Sequence, residues 1–188
     1  MKKSTGVTLI ELMITISIAA ILLAAGMPSF MKMLAKNRLD GKSRDFVSSL
    51  NMARSEAVLR NARATICHSS NGTSCVGEWE DGWIVFVDDG ATPGVVDVGE
   101  EVLLVNDGFD SAGYTLRGNG NVSNRISFGA QGYSLGFNGQ LALCFDEDSN
   151  GTGDFDDENG RVTIISSSGR IRTVEPSDGD VTLADCTP

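Results

Sequence analysis

The chain has 188 residues, with 15 lysines and arginines against 25 aspartates and glutamates, and a formal charge of −10 at pH 7. Acidity of this degree repels nucleic acid at long range, and no internal repeat recurs that would make a solenoid. After an N-terminal helical segment, enough chain remains for one ordinary domain of roughly 150 residues.

The first residues, MKKSTGVTLIELMITISIAAILLAAGMPSFM, hold the most informative pattern. Lys2, Lys3 and Gly6 precede an apolar run, and Leu12 to Met31 is 20 residues without a charge. At roughly 1.5 Å per residue, a helix of that length covers the ~30 Å hydrocarbon core of a bilayer. Glu11 sits just inside the run, where an acid costs about 2.5–3.5 kcal/mol and calls for a partner. A secretory signal peptide explains the basic start, but this core begins early, carries an acid and lacks an Ala-x-Ala cleavage site. A plain single-pass anchor explains the length and the positive-inside bias of Lys2 and Lys3, yet not Glu11.

Lys2-Lys3-Ser4-Thr5-Gly6 followed by Val7-Thr8-Leu9-Ile10-Glu11-Leu12 resembles the class III leader of type IV pilins and pseudopilins. The resemblance implies that a membrane prepilin peptidase removes leader residues 1–6 by cutting between Gly6 and Val7. It further implies that Val7 is then N-methylated. Val7 departs from the phenylalanine that the family favours at the first mature position. Pro28 stands where the family commonly loosens its helix with proline, whose ring removes one backbone hydrogen bond. The chemistry of the residues agrees with the resemblance. A new α-amine on Val7 is a cation and Glu11 of a neighbouring subunit is an anion. Pairing them in a low dielectric removes two desolvation penalties together. Glu11 and Pro28 are therefore read as assembly residues, and residues 7–36 as a hydrophobic helix that crosses the bacterial inner membrane once and later lies in the filament core. The positive-inside rule puts residues 37–188, a globular domain, in the periplasm and then outside the cell.

From Lys32 to about Ala62 the helical pattern continues. Leu39, Phe46, Leu50, Ala53 and Ala57 make one apolar stripe suited to packing on a sheet, with Lys42, Arg44, Arg54 and Glu56 mainly off it. Gly41 is a candidate bend that weakens its turn by ~1 kcal/mol relative to alanine. Beyond Ala62 the pattern changes to short β runs: Ala64–Cys67, Gly82–Val87, Glu101–Val105, Tyr114–Arg117, Arg125–Phe128, Leu141–Phe145, Arg161–Ser166 and Ile171–Glu175. Turn signals such as Asp88-Asp89-Gly90, Gly118-Asn119-Gly120 and Asn138-Gly139 separate them. One long helix followed only by strands is an α+β fold, with the helix laid across an antiparallel sheet. Trp79 and Trp83 are assigned to the core.

Residues 51–88 carry a more specific pattern: Ala53-Arg54-Ser55-Glu56-Ala57 on the helix, a strand ending in Cys67, then Gly82-Trp83-Ile84-Val85-Phe86. With the terminal Gly169-Arg170-Ile171-Arg172, this resembles the FimT/FimU/GspH group of minor pilins and pseudopilins, while residues 88–140 match weakly. The resemblance implies a type IV pilin-like fold and a structural subunit that primes or joins a pilus tip complex. Its partners would be other minor and major pilins, in the service of pilus assembly, twitching, adhesion or competence. A type II secretion pseudopilin of the H type is the alternative.

Cys67, Cys75, Cys144 and Cys186 all follow the membrane segment, and an even count in an oxidising compartment favours two disulfides. Sequence alone permits three pairings. We prefer Cys67–Cys75, which closes the polar loop HSSNGTS, with Cys144–Cys186, which pins the C-terminal tail to the last sheet. Zinc is disfavoured, because there is one histidine, His68, and no Cys-x-x-Cys.

An enzyme is not expected. His68 lies in a polar, serine-rich loop and reads as a solvated residue, Ser69 and Ser70 are too local to join it in a triad, and no phosphate-binding glycine loop opens a helix. Asp146, Asp148 and Asn150 alternate, with Gly151 following, as at the start of a calcium loop. The closing position is Asp157 rather than glutamate and no helical pattern flanks it, so a solvated acidic hairpin is preferred and no cofactor is expected. Arg170 and Arg172 fall on one face of a strand. In FimT-like proteins of competent bacteria a GRxR motif is associated with DNA, and two guanidiniums can contact successive phosphates. Arg117, Arg125 and Arg161 are candidates to extend that patch, whereas Glu175, Asp178, Asp180 and Asp185 oppose it.

Overall fold

No proline falls between Ser29 and Arg60, and the long helix ends only where asparagine permits a left-handed residue. In the computed structural model, which describes residues 6, 8–109, 113–145, 159–179 and 181, helix α1 spans Leu9–Arg60. The side chains of Ala25, Gly26, Pro28 and Ser29 are outside the described set. At the C-terminal end Asn61 takes φ 51°, its N–H reaches the Val58 carbonyl at 3.3 Å, and the Ala62 N–H reaches Ala57 at 3.2 Å. That is a Schellman closure with asparagine in the left-handed position. Helical structure continues through Gly41, the candidate bend.

The chain forms two compact units, Met1–Asn37 and Arg38–Pro188. In the first, the large apolar side chains of α1 from Leu9 to Met33 are exposed. Among the described residues no helix is long and apolar enough to cross a membrane. The run expected to cross, Leu12 to Met31, includes the four residues whose side chains are outside the described set.

In the second unit the strands are β1 (Ala64–His68), β2 (Trp83–Val87), β3 (Val102–Asn106), β4 (Tyr114–Gly118), β5 (Arg125–Phe128), β6 (Gly139–Phe145), β7 (Gly160–Ile165) and β8 (Ile171–Val174). They make two antiparallel sheets of four strands, in the orders β3-β2-β1-β5 and β4-β6-β7-β8, where the sequence suggested a single sheet. Sheet partition depends on which edges meet in space, and strand periodicity carries no such information.

The period of two explains the packing of the first sheet. Ile126, Ile66, Val85 and Leu104 lie in register across its strands and face the helix stripe of Leu39, Phe46, Leu50, Ala53 and Ala57. Cys67, Ile84 and Phe86 face the other way, onto Cys75, Val96 and Val102. In the second sheet Leu116, Leu143 and Arg161 are aligned, and the buried Arg161 guanidinium donates to Asp40 of α1 at 2.7 Å. Aromatic rings link helix and sheets. Phe46 meets Trp79 and Trp83 edge-on at 5.4 and 5.3 Å, Trp83 meets Phe109 at 5.8 Å, and Tyr114 stacks obliquely on Phe145 at 4.8 Å. Both tryptophans are buried, as expected, and the Trp83 indole donates to the Ser49 hydroxyl at 2.9 Å.

The sheets are stitched along their edges. At one side a 3-10 turn, Trp79–Asp81, gives the Glu80 carbonyl to the Phe109 N–H and the Glu80 carboxylate to Arg117. At the other, Ser134 bridges Phe128 of β5 and takes the Ser167 carbonyl on its N–H at 3.2 Å. Asp88, beyond β2, is fully buried and receives Thr65 Oγ1 at 2.5 Å, Arg63 Nη2 at 2.9 Å and the Gly94 N–H at 2.9 Å. A buried carboxylate needs such partners, and these ones fasten the 89–100 excursion to the sheet.

Candidate functional site

The N-terminal candidates divide at the start of α1. Gly6 is exposed and non-helical, and Val7 lies outside the described residues. Thr8 is the helix cap: its hydroxyl accepts the Glu11 N–H at 3.3 Å, and its carbonyl accepts the Leu12 N–H at 3.1 Å. Glu11 therefore occupies the first turn, exposed, where the helix dipole favours an anion. Thr8-Leu9-Ile10-Glu11 fits the capping-box pattern of Ser/Thr-x-x-Glu, a signal in the sequence that the leader motif overshadowed. Position 28 is helical, and the Pro28 side chain is outside the described set.

Cys67 and Cys75 are bridged, with Cα atoms 5.6 Å apart. The bridge closes a loop ordered by Asn71, whose Oδ1 accepts the N–H groups of Thr73 and Ser74 at 2.9 Å each. Cys144, buried in β6, is disulfide-bonded as well, and Cys186 lies outside the described residues. The expectation for His68 is corrected: it closes β1 opposite Trp83 and sets its ring edge-on to Trp79 at 5.8 Å, half-buried rather than solvated. The Ser69 hydroxyl is taken up by the Gly72 N–H and by Asn71.

Arg170 and Arg172 do not present two equivalent guanidiniums. Arg170 precedes β8, in the turn after β7, and is exposed with its N–H on Ser166 Oγ at 3.2 Å. Its guanidinium has no hydrogen bond or ion pair among the described residues. Arg172 pairs across from Ile164, half-buried and engaged. The three arginines that were candidates to extend the patch are placed differently from one another. Arg117 is bound to Glu80, Arg161 is buried on Asp40, and Arg125 lies over the Phe137 ring at 5.7 Å. Sequence reasoning missed Arg54, which donates from Nε to the Gly132 carbonyl at 2.9 Å and so ties α1 to the loop beside the Arg170 turn.

Asp146, Asp148 and Asn150, the calcium candidates, lie outside the described residues. Among the described residues no group of three or more histidine, cysteine or acidic side chains could hold a metal ion.

A helix capped just behind a Gly-Val junction, running into a two-sheet domain, is the construction of a pilin-like subunit. The family model described as Type II transport protein GspH matches residues 42–175, and that described as Prokaryotic N-terminal methylation motif matches residues 1–27. The chain belongs to the GspH family of minor pilins and pseudopilins, structural subunits and not enzymes. Among solved structures, the type IV minor pilin FimU of Pseudomonas aeruginosa PAO1 is similar at 25% identity and a TM-score of 0.57, covering 76% of this chain and 92% of that one. A second crystal form of FimU gives 24% identity and a TM-score of 0.53 over 74% and 94% of the two chains. The minor pseudopilin EpsH of the Vibrio cholerae type 2 secretion system aligns at 12% identity and a TM-score of 0.45, covering 72% and 94%. No curated protein matches the chain.

Proposed function

We propose that this chain is a prepilin held in the bacterial inner membrane, cut between Gly6 and Val7 and methylated on Val7. The mature form then enters a type IV pilus as a minor, priming subunit beside other minor and major pilins. The observation that carries the reading is the continuity of a methylation motif at residues 1–27 with one helix, Leu9–Arg60, that enters a FimU-like domain. Before assembly the apolar half of that helix is the membrane anchor and the domain sits in the periplasm. Glu11 meets the amine of a neighbouring Val7, and Cys144 pairs with Cys186. Expression with a prepilin peptidase tests the first step. Intact-mass measurement should show loss of residues 1–6 and one added methyl group, and Gly6→Ala should leave the leader in place. A processed chain that never enters sheared surface filaments would overturn the pilus reading.

The name of the family model, a type II transport protein, favours a second reading as a secretion pseudopilin. Deletion in the host separates the two: lost pili with intact secretion support the pilus, and the reverse supports the pseudopilus. A third, as a DNA-binding minor pilin, draws on the exposed Arg170 and on Arg172. Duplex binding that weakens with salt and vanishes in Arg170→Ala/Arg172→Ala would support it.

A further inference from the structure

The turn that carries Arg170 is held from three directions. Arg54 of α1 donates to the carbonyls of Gly132 at 2.9 Å and Ser168 at 3.5 Å. Ser134 gives its hydroxyl to the Ser166 carbonyl at 3.0 Å and its N–H to Ser167. Gly169, at φ 75°, packs so closely on Gly132 that any side chain there would strike the Gly132 carbonyl. Gly132 in turn lies against α1, where a Cβ would come within 3.3 Å of Val58 Cγ2. Helix end, loop and turn thus form one fixed platform rather than a loose tip.

What the platform shows to solvent is mixed. Val58 is 51% exposed, Tyr133 57% and Leu135 47%. Tyr133 follows Gly132 in the chain and the exposed Arg170 follows Gly169, so the Gly132–Gly169 contact brings their backbones together, and the Arg170 guanidinium has no partner among the described residues. Exposed apolar side chains with a tyrosine and an arginine free of partners among the described residues, all carried by one fixed platform, have the composition of a protein-interface centre. A duplex would need several cations at once, whereas Arg117 and Arg161 are spent on internal carboxylates and Glu175 and Asp178 follow in the chain. We propose that the platform of Val58, Tyr133, Leu135 and Arg170 docks a neighbouring pilin-like subunit that offers a carboxylate beside apolar side chains. Arg54 is the positioning residue that holds the platform in shape. The inference rests on the filament-subunit reading.

The test uses the full chain in cells that assemble the filament, with the photo-crosslinker p-benzoylphenylalanine at Tyr133 and, separately, at Ile18 in the apolar helix. Adducts are identified by mass spectrometry. The expected result is a Tyr133 adduct with a chain that itself bears an N-terminal methylation motif. Arg170→Glu should make it several-fold weaker, and Arg170→Lys should retain it, with the Cys67–Cys75 bridge intact in both. A Tyr133 adduct to DNA, one to a chain lacking that motif, or none while Ile18 still crosslinks to pilins overturns the docking surface alone. Silence at both positions overturns the subunit reading beneath it.

Discussion

The Thr8 hydroxyl accepts the backbone N–H of Glu11, so one residue pair both starts the helix and places an acid at its head. The two contributions separate by mutation. Thr8→Ala removes a cap worth about 1 kcal/mol and should leave incorporation into filaments nearly unchanged, because tertiary packing holds the rest of α1. If Glu11 meets a neighbouring Val7 amine as proposed, Glu11→Ala should leave cleavage intact but cut incorporation strongly. Immunoblots of sheared filaments against membranes read both effects, and wild-type incorporation of Glu11→Ala would remove its assembly role.

Gly41 is helical, and a Cβ built on it meets nothing within 4 Å. Gly41→Ala should therefore stabilise the helix by about 0.5–1 kcal/mol through lost unfolded-state freedom. Urea unfolding followed by tryptophan fluorescence suits the measurement, because both tryptophans lie in the second unit. A lower midpoint would mean that the glycine serves a motion of the helix and not merely its sequence.

The eight strands were legible because Gly- and Asp-rich turns punctuate them; Arg125–Phe128 is observed as read, and β2 differs only by Gly82 at its start. The division into two sheets was not legible. Nor were the links between the sheets, which run through Glu80 and Ser134, polar residues bonded to chain far away in sequence. Arg54 illustrates the same limit. Its place off the apolar stripe gave it no partner in the sequence, yet its guanidinium reaches the Gly132 carbonyl, 78 residues on. Periodicity reports which side of an element is buried, and says little about which polar groups cross between elements.

Ser49 is buried and its hydroxyl is the acceptor for the Trp83 indole. Ser49→Ala leaves that indole N–H unsatisfied in the core, so it should cost about 1–3 kcal/mol although it removes a single oxygen. Trp83→Phe should cost more, through the cavity left beside Phe46. The order of the two urea midpoints checks the argument, and an unchanged Ser49→Ala midpoint would mean that water reaches the indole.

The Cys67–Cys75 bridge closes a short loop, with a sequence separation of 8. Chain-entropy arguments give about 2–3 kcal/mol for a loop of this size. Cys67→Ala/Cys75→Ala should lower stability by that order. The loss also touches packing, because Cys67 is fully buried against Ile84 and Phe86. The double mutant should still fold, since the main core lies on the opposite face of the sheet. Limited proteolysis should then cut first in the loop around Asn71.

Burial pushes the Tyr114 hydroxyl above its ordinary value of 10.0, with the Arg38 charge pulling weakly the other way. The folded state therefore holds the phenolic proton more tightly than the unfolded chain does. Its contribution to stability is complete below the unfolded value, and it is lost as the pH rises through the folded one. The wild-type urea midpoint should fall more steeply than that of Tyr114→Phe between about pH 9 and 11, the range in which tyrosines titrate. The two proteins differ only at residue 114, so the difference in slope reports on Tyr114. Parallel slopes would mean that the phenolate is accommodated beside Arg38, and that the ring's packing between Phe109 and Phe145 opens without cost to the fold.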